Sequence, residues 1–117
     1  MTKIISIIGG KGGVGKTTVT SNLAYALTEL GESVIVMDTN LTTPNLGLHF
    51  GMHLAPNSLQ NLLRGEVSLN DVIYDHPFGF KFIPASIATD DLIGVDSRKI
   101  PHVSFNLMGQ ADYILLD

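Results

Sequence analysis

Residues 9–18 read Gly-Gly-Lys-Gly-Gly-Val-Gly-Lys-Thr-Thr, and this stretch decides the fold. It follows a β-branched apolar run over residues 3–8 and precedes apolar positions at helical spacing as far as Leu30. The segment therefore predicts a strand, a loop and a helix in that order. Gly10, Gly15, Lys16 and Thr17 fit the pattern G-x-x-x-x-G-K-[ST], whose backbone N–H groups curl around a phosphate at a helix N-terminus. The stretch predicts a phosphate-binding loop.

The two residues that end this pattern indicate the ligand. Lys16 can reach the β- and γ-phosphate oxygens of a nucleoside triphosphate, and the Thr17 hydroxyl can ligate Mg²⁺. An additional lysine, Lys11, lies early in the loop. It is either a solvated loop residue or a second cation directed at phosphate, in the way that an arginine finger acts.

A dinucleotide-binding turn is the competing interpretation of the same glycines. Gly10, Gly12 and Gly15 also satisfy G-x-G-x-x-G, and Asp38 ends the next strand, where a ribose-binding acid is expected. The Lys-Thr pair that follows Gly15 favours the phosphate loop, because a dinucleotide turn requires neither residue.

The rest of the chain continues the alternation of strands and helices, which is typical of parallel sheets. We expect an α/β fold with a doubly wound parallel sheet, helices on both faces and the first strand buried on both faces. Further strands are predicted over 33–37, 80–84 and 113–116, and short helices after 44–45, over 59–63, over 68–74 and from 97 or 101 to 108. Residues 85–96 predict an irregular loop. A buried strand that stops on Asp117 is an unusual end for a domain, so we expect residues 1–117 to be a single partial domain.

Composition excludes several classes of protein. The 117 residues are 44% hydrophobic and 15% charged, which is too apolar for a disordered chain. The net charge of −4 and the lack of a Lys/Arg run argue against direct nucleic acid binding by this segment. Apolar runs are too short for a membrane span. Cysteine is absent, which excludes disulfides and thiolate metal sites within these residues and is compatible with a cytoplasmic setting.

Residues 10–18 resemble the deviant Walker A motif, K-G-G-x-G-K-[ST], of the MinD/ParA superfamily of P-loop ATPases. Residues 34–40, followed by Asn-Leu-Gly-Leu at 45–48, resemble the MinD-like branch more than the ParA branch, whose usual D-x-D-P-Q is absent. Residues 113–117 resemble the strand that carries the switch II carboxylate. The similarity runs along most of the chain but covers about the first half of a family domain.

The resemblance implies ATP or ADP with Mg²⁺ as cofactors and a face-to-face, ATP-dependent homodimer. It implies that Lys11 reaches the partner subunit's nucleotide, that Lys16 holds the β- and γ-phosphates, and that Thr18 contacts the α-phosphate. The implied nucleotide-binding residues are Gly10, Lys11, Gly12, Gly13, Val14, Gly15, Lys16, Thr17 and Thr18. The residues implied to lie near the metal ion are Thr17, Asp38 and Asp117. The implied catalytic residues are Lys11, Lys16, Asp38 and Asn40. The resemblance also places the strand over 112–117 between those over 3–8 and 33–37.

Asn40 departs from the family pattern, which has a second acid there to position the attacking water. An amide oxygen still accepts a hydrogen bond but is no base, so hydrolysis is expected to be slowed rather than abolished. The leading expectation is an ATP-dependent dimerisation switch with slow ATPase activity, used in spatial positioning such as that of cell division. Residues 1–117 alone are expected to be inactive.

Three other functions stay open. Asn40 favours a nucleotide sensor that does not hydrolyse. An iron–sulfur carrier ATPase of the Mrp type would need a C-x-x-C pair beyond Asp117, and a dinucleotide-binding Rossmann protein would bind NAD. An unidentified partner or activator protein is expected, as is a peripheral membrane contact through a segment beyond Asp117.

Two weaker features complete the set of candidates. His49 and His53 are four residues apart, a spacing that on a helix presents two imidazoles to one metal ion, but Gly51 and the lack of a third ligand favour an ordinary surface pair. Acidic residues at 90, 91 and 96 form a cluster that is most simply a solvated face.

Overall fold

The computed structural model describes residues 1–9, 14–52 and 54–117. Within these ranges, five strands form one sheet in the order β1-β5-β2-β4-β3. The strands are β1 (Lys3–Ser6), β2 (Val34–Met37), β3 (Tyr74–Asp75), β4 (Lys81–Ile83) and β5 (Tyr113–Leu116). All neighbours are parallel except β3, which pairs with β4 in an antiparallel hairpin.

Helices cover both faces of this sheet. They are α1 (Val14–Glu29), α2 (Leu46–His49), α3 (Leu59–Leu63) and α4 (Ile100–Asn106), with 3₁₀ helices at Leu69–Val72, Thr89–Leu92 and Ser97–Lys99. On one face, α1 and α2 pack through Ala24 and Leu46 on a core that includes Phe82. On the other, α3 and α4 pack through Leu63 and Val103. The predicted α/β fold with helices on both faces is confirmed.

The short helix α3 shows how local sequence sets an element. Ser58 precedes it, and the backbone N–H and hydroxyl of Ser58 both donate to Oδ1 of Asn61, at 2.9 and 3.1 Å. This capping box satisfies donors that the first helical turn leaves free. Gly65 follows the helix with a φ of +77°, a left-handed conformation that a side chain would strain. The predicted helix over 59–63 is confirmed with these ends.

The order of the central strands is also as the resemblance implied. Tyr113 of β5 pairs with Lys3 on one side and with Val34 on the other, so β5 lies between β1 and β2. Because all three strands are parallel, Asp38 and Asp117 follow neighbouring strands at the same edge of the sheet. This placement builds the site described below.

Three local expectations were wrong. The strand predicted over 3–8 is not buried on both faces: β1 spans Lys3–Ser6, and Ile4 is 41% exposed because β1 is an edge strand within the described residues. The helix predicted over 68–74 ends at Val72, since Tyr74 pairs with Phe82 across the hairpin. The predicted irregular loop over 85–96 contains the 3₁₀ helix Thr89–Leu92.

No helix in the described part of the chain is both long enough and apolar enough to cross a membrane.

Candidate functional site

A cleft of about 520 Å³ opens at the carboxyl ends of β1 and β5, beside the beginning of α1. Ligands of open α/β sheets bind at this edge, where the loops that follow the strands diverge. The cleft is lined by Ser6, Ile7, Ile8, Gly9, Lys16, Thr39, Ser97, Ile100, Leu116 and Asp117. Its polar end therefore combines a lysine, a carboxylate and a threonine hydroxyl.

Two hydroxyls of α1 hold the carboxylate of Asp117, which is only 4% exposed. Thr20 Oγ1 donates to Asp117 Oδ1 at 2.7 Å, and Thr17 Oγ1 donates to Oδ2 at 3.3 Å. The main chain of Asp117 is held as well, since the backbone N–H of Thr39 donates to its carbonyl at 3.1 Å. The end of β5 is thus fixed against both α1 and the residues after β2.

Asp38 is a fully buried carboxyl group at the end of β2. Its Oδ1 accepts from the backbone N–H of Asn40 at 3.1 Å, and its Oδ2 accepts from that of Leu46 at 3.3 Å. Burial raises the pKa of Asp38 to about 7 against the lowering effect of these donors; the charge of Asp117 adds to the increase and Lys16 opposes it. A cation placed beside Asp38 would favour its ionised form.

Lys16 lies partly buried in the cleft, where its stem passes close to Gly9. A Cβ atom on Gly9 would lie 3.4 Å from the Cβ of Lys16, at the short end of ordinary van der Waals contact. Thr17 and Thr18 also line a neighbouring cleft of about 360 Å³ with Asn45, Leu48 and His49. The hydroxyl-bearing start of α1 therefore lies between two open spaces.

The donor set at this edge fits magnesium. Thr17, Asp38 and Asp117 supply one hydroxyl and two carboxylates, and hard oxygen ligands of this kind suit Mg²⁺ rather than softer metals. No cluster of three or more His, Cys, Asp or Glu side chains that could hold a metal occurs in the described ranges. Mg²⁺ does not require a cluster of this size, because it is usually bound by one or two carboxylates together with substrate phosphates and water.

The structure brings together Lys16, Thr17, Asp38 and Asp117 among the residues predicted for the site. Gly10, Lys11, Gly12 and Gly13, the side chain of Val14, and His53 of the histidine pair lie outside the described residues. The roles predicted for them stay predictions.

Asn40 lies next to the site but is engaged in a turn. Its Oδ1 accepts from the backbone N–H of Thr43 at 3.1 Å and from the Thr42 hydroxyl at 3.2 Å. Its Nδ2 donates to the Thr43 hydroxyl at 3.1 Å. These bonds give Asn40 a turn-capping role.

Sequence reasoning missed Thr20 and Thr39. Thr20 is three residues after Thr17 on α1, so helical spacing places both hydroxyls on one face, and this was the available signal. Thr39 is marked only by following Asp38 at the end of a strand. Its hydroxyl donates to the Asp117 carbonyl at 2.5 Å, which depends on the pairing of β2 with β5.

Sequence comparisons find a matching family model and relatives along nearly the whole chain. A family model described as an AAA domain matches residues 2–117. An uncharacterized ATP-binding protein of Methanocaldococcus jannaschii is 37% identical over 114 residues, covering 97% of this chain and 43% of the relative. The septum site-determining protein MinD of Thermotoga maritima is 34% identical over 121 residues, covering 100% and 44%. An iron-sulfur cluster carrier protein of Synechocystis is 32% identical over 124 residues, covering 97% and 33%.

Solved structures share the fold. MinD of Pyrococcus horikoshii, complexed with Mg-ADP, superposes with a TM-score of 0.95 at 43% identity, covering 100% of this chain and 49% of that one. Cobyrinic acid a,c-diamide synthase of Mycobacterium smegmatis, with bound ATP analog and magnesium, gives 0.83 at 26%, covering 100% and 49%. A chain of the MinC:MinD cell division protein complex of Aquifex aeolicus gives 0.79 at 29%, covering 99% and 47%. The chain spans less than half the length of each of these proteins.

Proposed function

Because this chain belongs to the family described as an AAA domain and to the MinD/ParA-like P-loop ATPases, we propose that it binds Mg·ATP and Mg·ADP. We further propose that it works as an ATP-dependent dimerisation switch with slow ATP hydrolysis. The observation that carries the proposal is the convergence of Lys16, Thr17, Asp38 and Asp117 at one edge of the sheet. Relatives and neighbours that are named for ATP binding, or solved with Mg-ADP or an ATP analog and magnesium, support the choice of cofactor.

The residues of the site divide the work of binding. Lys16 supplies positive charge to the β- and γ-phosphate oxygens from the helix start, where backbone N–H groups add to the attraction. The Thr17 hydroxyl and the carboxylates of Asp38 and Asp117 would hold Mg²⁺, which supplies charge neutralisation for the transferring phosphoryl group. Asp38 gives up its proton to take this role, since its pKa of about 7 belongs to the metal-free carboxyl group.

Hydrolysis then depends on positioning. Lys11 is assigned to the nucleotide of the partner subunit, so two subunits complete each site. Asn40 is assigned to orienting the attacking water, and for this its amide oxygen must exchange one of its two turn bonds, from Thr42 or Thr43, for a bond from the water. It does so without the charge that an aspartate would bring. Phosphoryl transfer relies mostly on positioning and electrostatics, so loss of this charge slows the reaction.

Calorimetry with Mg·ADP tests the proposal, using Lys16→Ala and Lys81→Ala as a matched pair. Hydrogen bonds to charged groups are worth about 1.5–3 kcal/mol, so Lys16→Ala should weaken binding about 10-fold to 100-fold. Lys81 forms an exposed ion pair with Asp75 at 2.8 Å, away from the cleft, and its removal should leave the affinity unchanged. Equal affinities in the two variants, or tight NAD binding with none for ATP, would refute the proposal.

An iron–sulfur carrier is the second candidate, and the similarity to the Synechocystis carrier protein favours it. The 117 residues contain no cysteine, so a cluster would need ligands elsewhere in the protein. Iron analysis of the full-length protein after anaerobic reconstitution distinguishes the two: stoichiometric iron would select the carrier, and none would select the switch.

Interaction partners follow from the same premise. We propose a homodimer formed in the presence of ATP, a protein partner that acts on this dimer, and a cytoplasmic location with peripheral contact to the membrane. The MinC:MinD complex of Aquifex aeolicus supports the idea of a protein partner. Sedimentation with ATP and with ADP tests the first of these assignments.

A further inference from the structure

We propose that Thr20 is a positioning residue that fixes which oxygen of Asp117 faces the metal position, an inference that rests on the proposed function. Thr20 touches neither the phosphate nor the metal in this assignment. It acts through Asp117, the carboxylate at the end of β5.

The contact between Thr20 and Asp117 is short and buried. Thr20 is fully buried, and its Oγ1 lies 2.7 Å from Asp117 Oδ1 across 97 positions of sequence. The same hydroxyl also lies 2.9 Å from the carbonyl of Lys16. A hydroxyl has one proton to donate, and a carboxylate is a stronger acceptor than a neutral carbonyl. The proton therefore goes to Asp117, while the Lys16 carbonyl keeps the backbone bond of the helix.

This bond leaves the two oxygens of Asp117 unequal. Oδ1 is occupied by Thr20, and Oδ2 lies on the side of Thr17, 3.3 Å from its hydroxyl. Because Thr17 and Thr20 are one helical turn apart on α1, a single rigid element sets both contacts. Without the Thr20 hydroxyl, Oδ1 would be a buried carboxylate oxygen lacking this partner, and of the two bonds from α1 the carboxylate would keep the longer one, from Thr17 at 3.3 Å. Its rotation about the Cβ–Cγ bond would be less restricted.

Partners that orient metal-bound carboxylates in this way have measurable effects. Their mutation typically costs about 10-fold to 100-fold in metal affinity or activity. The effect of Thr20 should therefore appear in the magnesium-dependent part of nucleotide binding. Binding of ADP without magnesium uses the phosphate loop and Lys16, which the substitution leaves in place.

The experiment measures ADP affinity of the full-length protein by calorimetry, once with Mg²⁺ and once with EDTA. Thr20→Val removes the hydroxyl at nearly constant volume, and Thr20→Ser restores it. Thr28→Val is the matched control, because Thr28 is on the same helix and donates to the carbonyl four residues earlier at 2.8 Å, and it forms no hydrogen bond with a carboxylate of the described residues. The gain in affinity from Mg²⁺ should fall about tenfold or more in Thr20→Val, and stay unchanged in Thr20→Ser and Thr28→Val.

Each other outcome counts against the inference. An undiminished gain from Mg²⁺ in Thr20→Val refutes it while leaving the proposed function intact. Equal losses in Thr20→Val and Thr28→Val assign the effect to the helix rather than to Asp117. If the unsubstituted protein binds no Mg·ADP, the proposed function fails and this inference fails with it. Thr20→Ala, which removes the hydroxyl without adding an apolar branch, decides the question should Thr20→Val not fold.

Discussion

Raising the pH of the nucleotide-free protein from 4 to 8 should destabilise it through Asp38. Burial raises the pKa of this group from 3.8 to about 7, so the folded state keeps a proton over a range in which the unfolded state has lost it. The stability that this proton contributes is complete below about pH 4 and is lost as the pH rises through 7. The direction is opposite to that of a carboxylate held by a salt bridge.

The magnitude follows from the size of the shift. The change from 3.8 to about 7 is roughly three pKa units, and each unit corresponds to about 1.4 kcal/mol. Ionising Asp38 in the folded, metal-free protein therefore costs about 4 kcal/mol. A typical domain has only about 5–15 kcal/mol of unfolding free energy, so the effect is large enough to measure.

Urea denaturation between pH 4 and pH 8, with the unsubstituted protein and Asp38→Asn side by side, isolates this group. Other carboxyl groups titrate too, and the pKa values of Asp71 and Asp112 are lowered by hydrogen bonds from the backbone and side chains of Ser68 and Ser33. These contributions cancel in the difference between the two proteins. The unfolding free energy of Asp38→Asn minus that of the unsubstituted protein should increase by about 4 kcal/mol from pH 4 to pH 8. A difference that stays constant with pH would refute the reasoning.

Further predictions follow from the same structure. Asn40→Asp should raise ATP turnover about tenfold at unchanged affinity, and equal steady-state rates of phosphate release would leave Asn40 with its turn-capping role alone. Lys11→Ala should keep ADP binding and abolish the ATP-induced dimer; a normal dimer on sedimentation would contradict the assignment across the interface. Ser21→Ala should stabilise the protein by about 0.5–1 kcal/mol, since the buried Ser21 hydroxyl has no hydrogen-bond partner in the described residues, whereas destabilisation in urea would reveal a partner elsewhere. A polypeptide of residues 1–117 alone should self-associate through the edge of β1, and a monomer in light scattering would disprove this.

Much of the fold could be predicted from local patterns. The run before the glycine loop, the helical spacing after it and the apolar segments over 33–37 and 113–116 each determine one element with little help from the rest of the chain. The turn residues at 56–58 and Gly65 did the same for the helix over 59–63. These signals depend on residues close in sequence, which is why they could be interpreted without the structure.

What could not be predicted depends on distant pairing. Residues 74–75 form a strand because β4 lies beside them, although the sequence predicted a helix over 68–74. The contact between Thr20 and Asp117 could not be predicted, because it forms only when β5 packs beside α1 and brings together two residues 97 positions apart. In the same way, the shifted pKa of Asp38 arises from packing on all sides of a carboxyl group that the sequence shows only as the end of a strand.

The insertion of β5 between β1 and β2 also sets the order in which the molecule can assemble. Lys3 and Val34 both pair with Tyr113, so β1 has no described partner until residues 113–116 have been synthesised. Pairing between strands that are far apart in sequence slows folding and prolongs the exposure of unpaired strand edges. Exposed strand edges promote aggregation, and chaperones bind chains in this state. The pairing of β5 with β2 also brings Asp117 beside Asp38. A chain in which β5 has not yet paired therefore lacks the two neighbouring carboxylates that are proposed to bind magnesium.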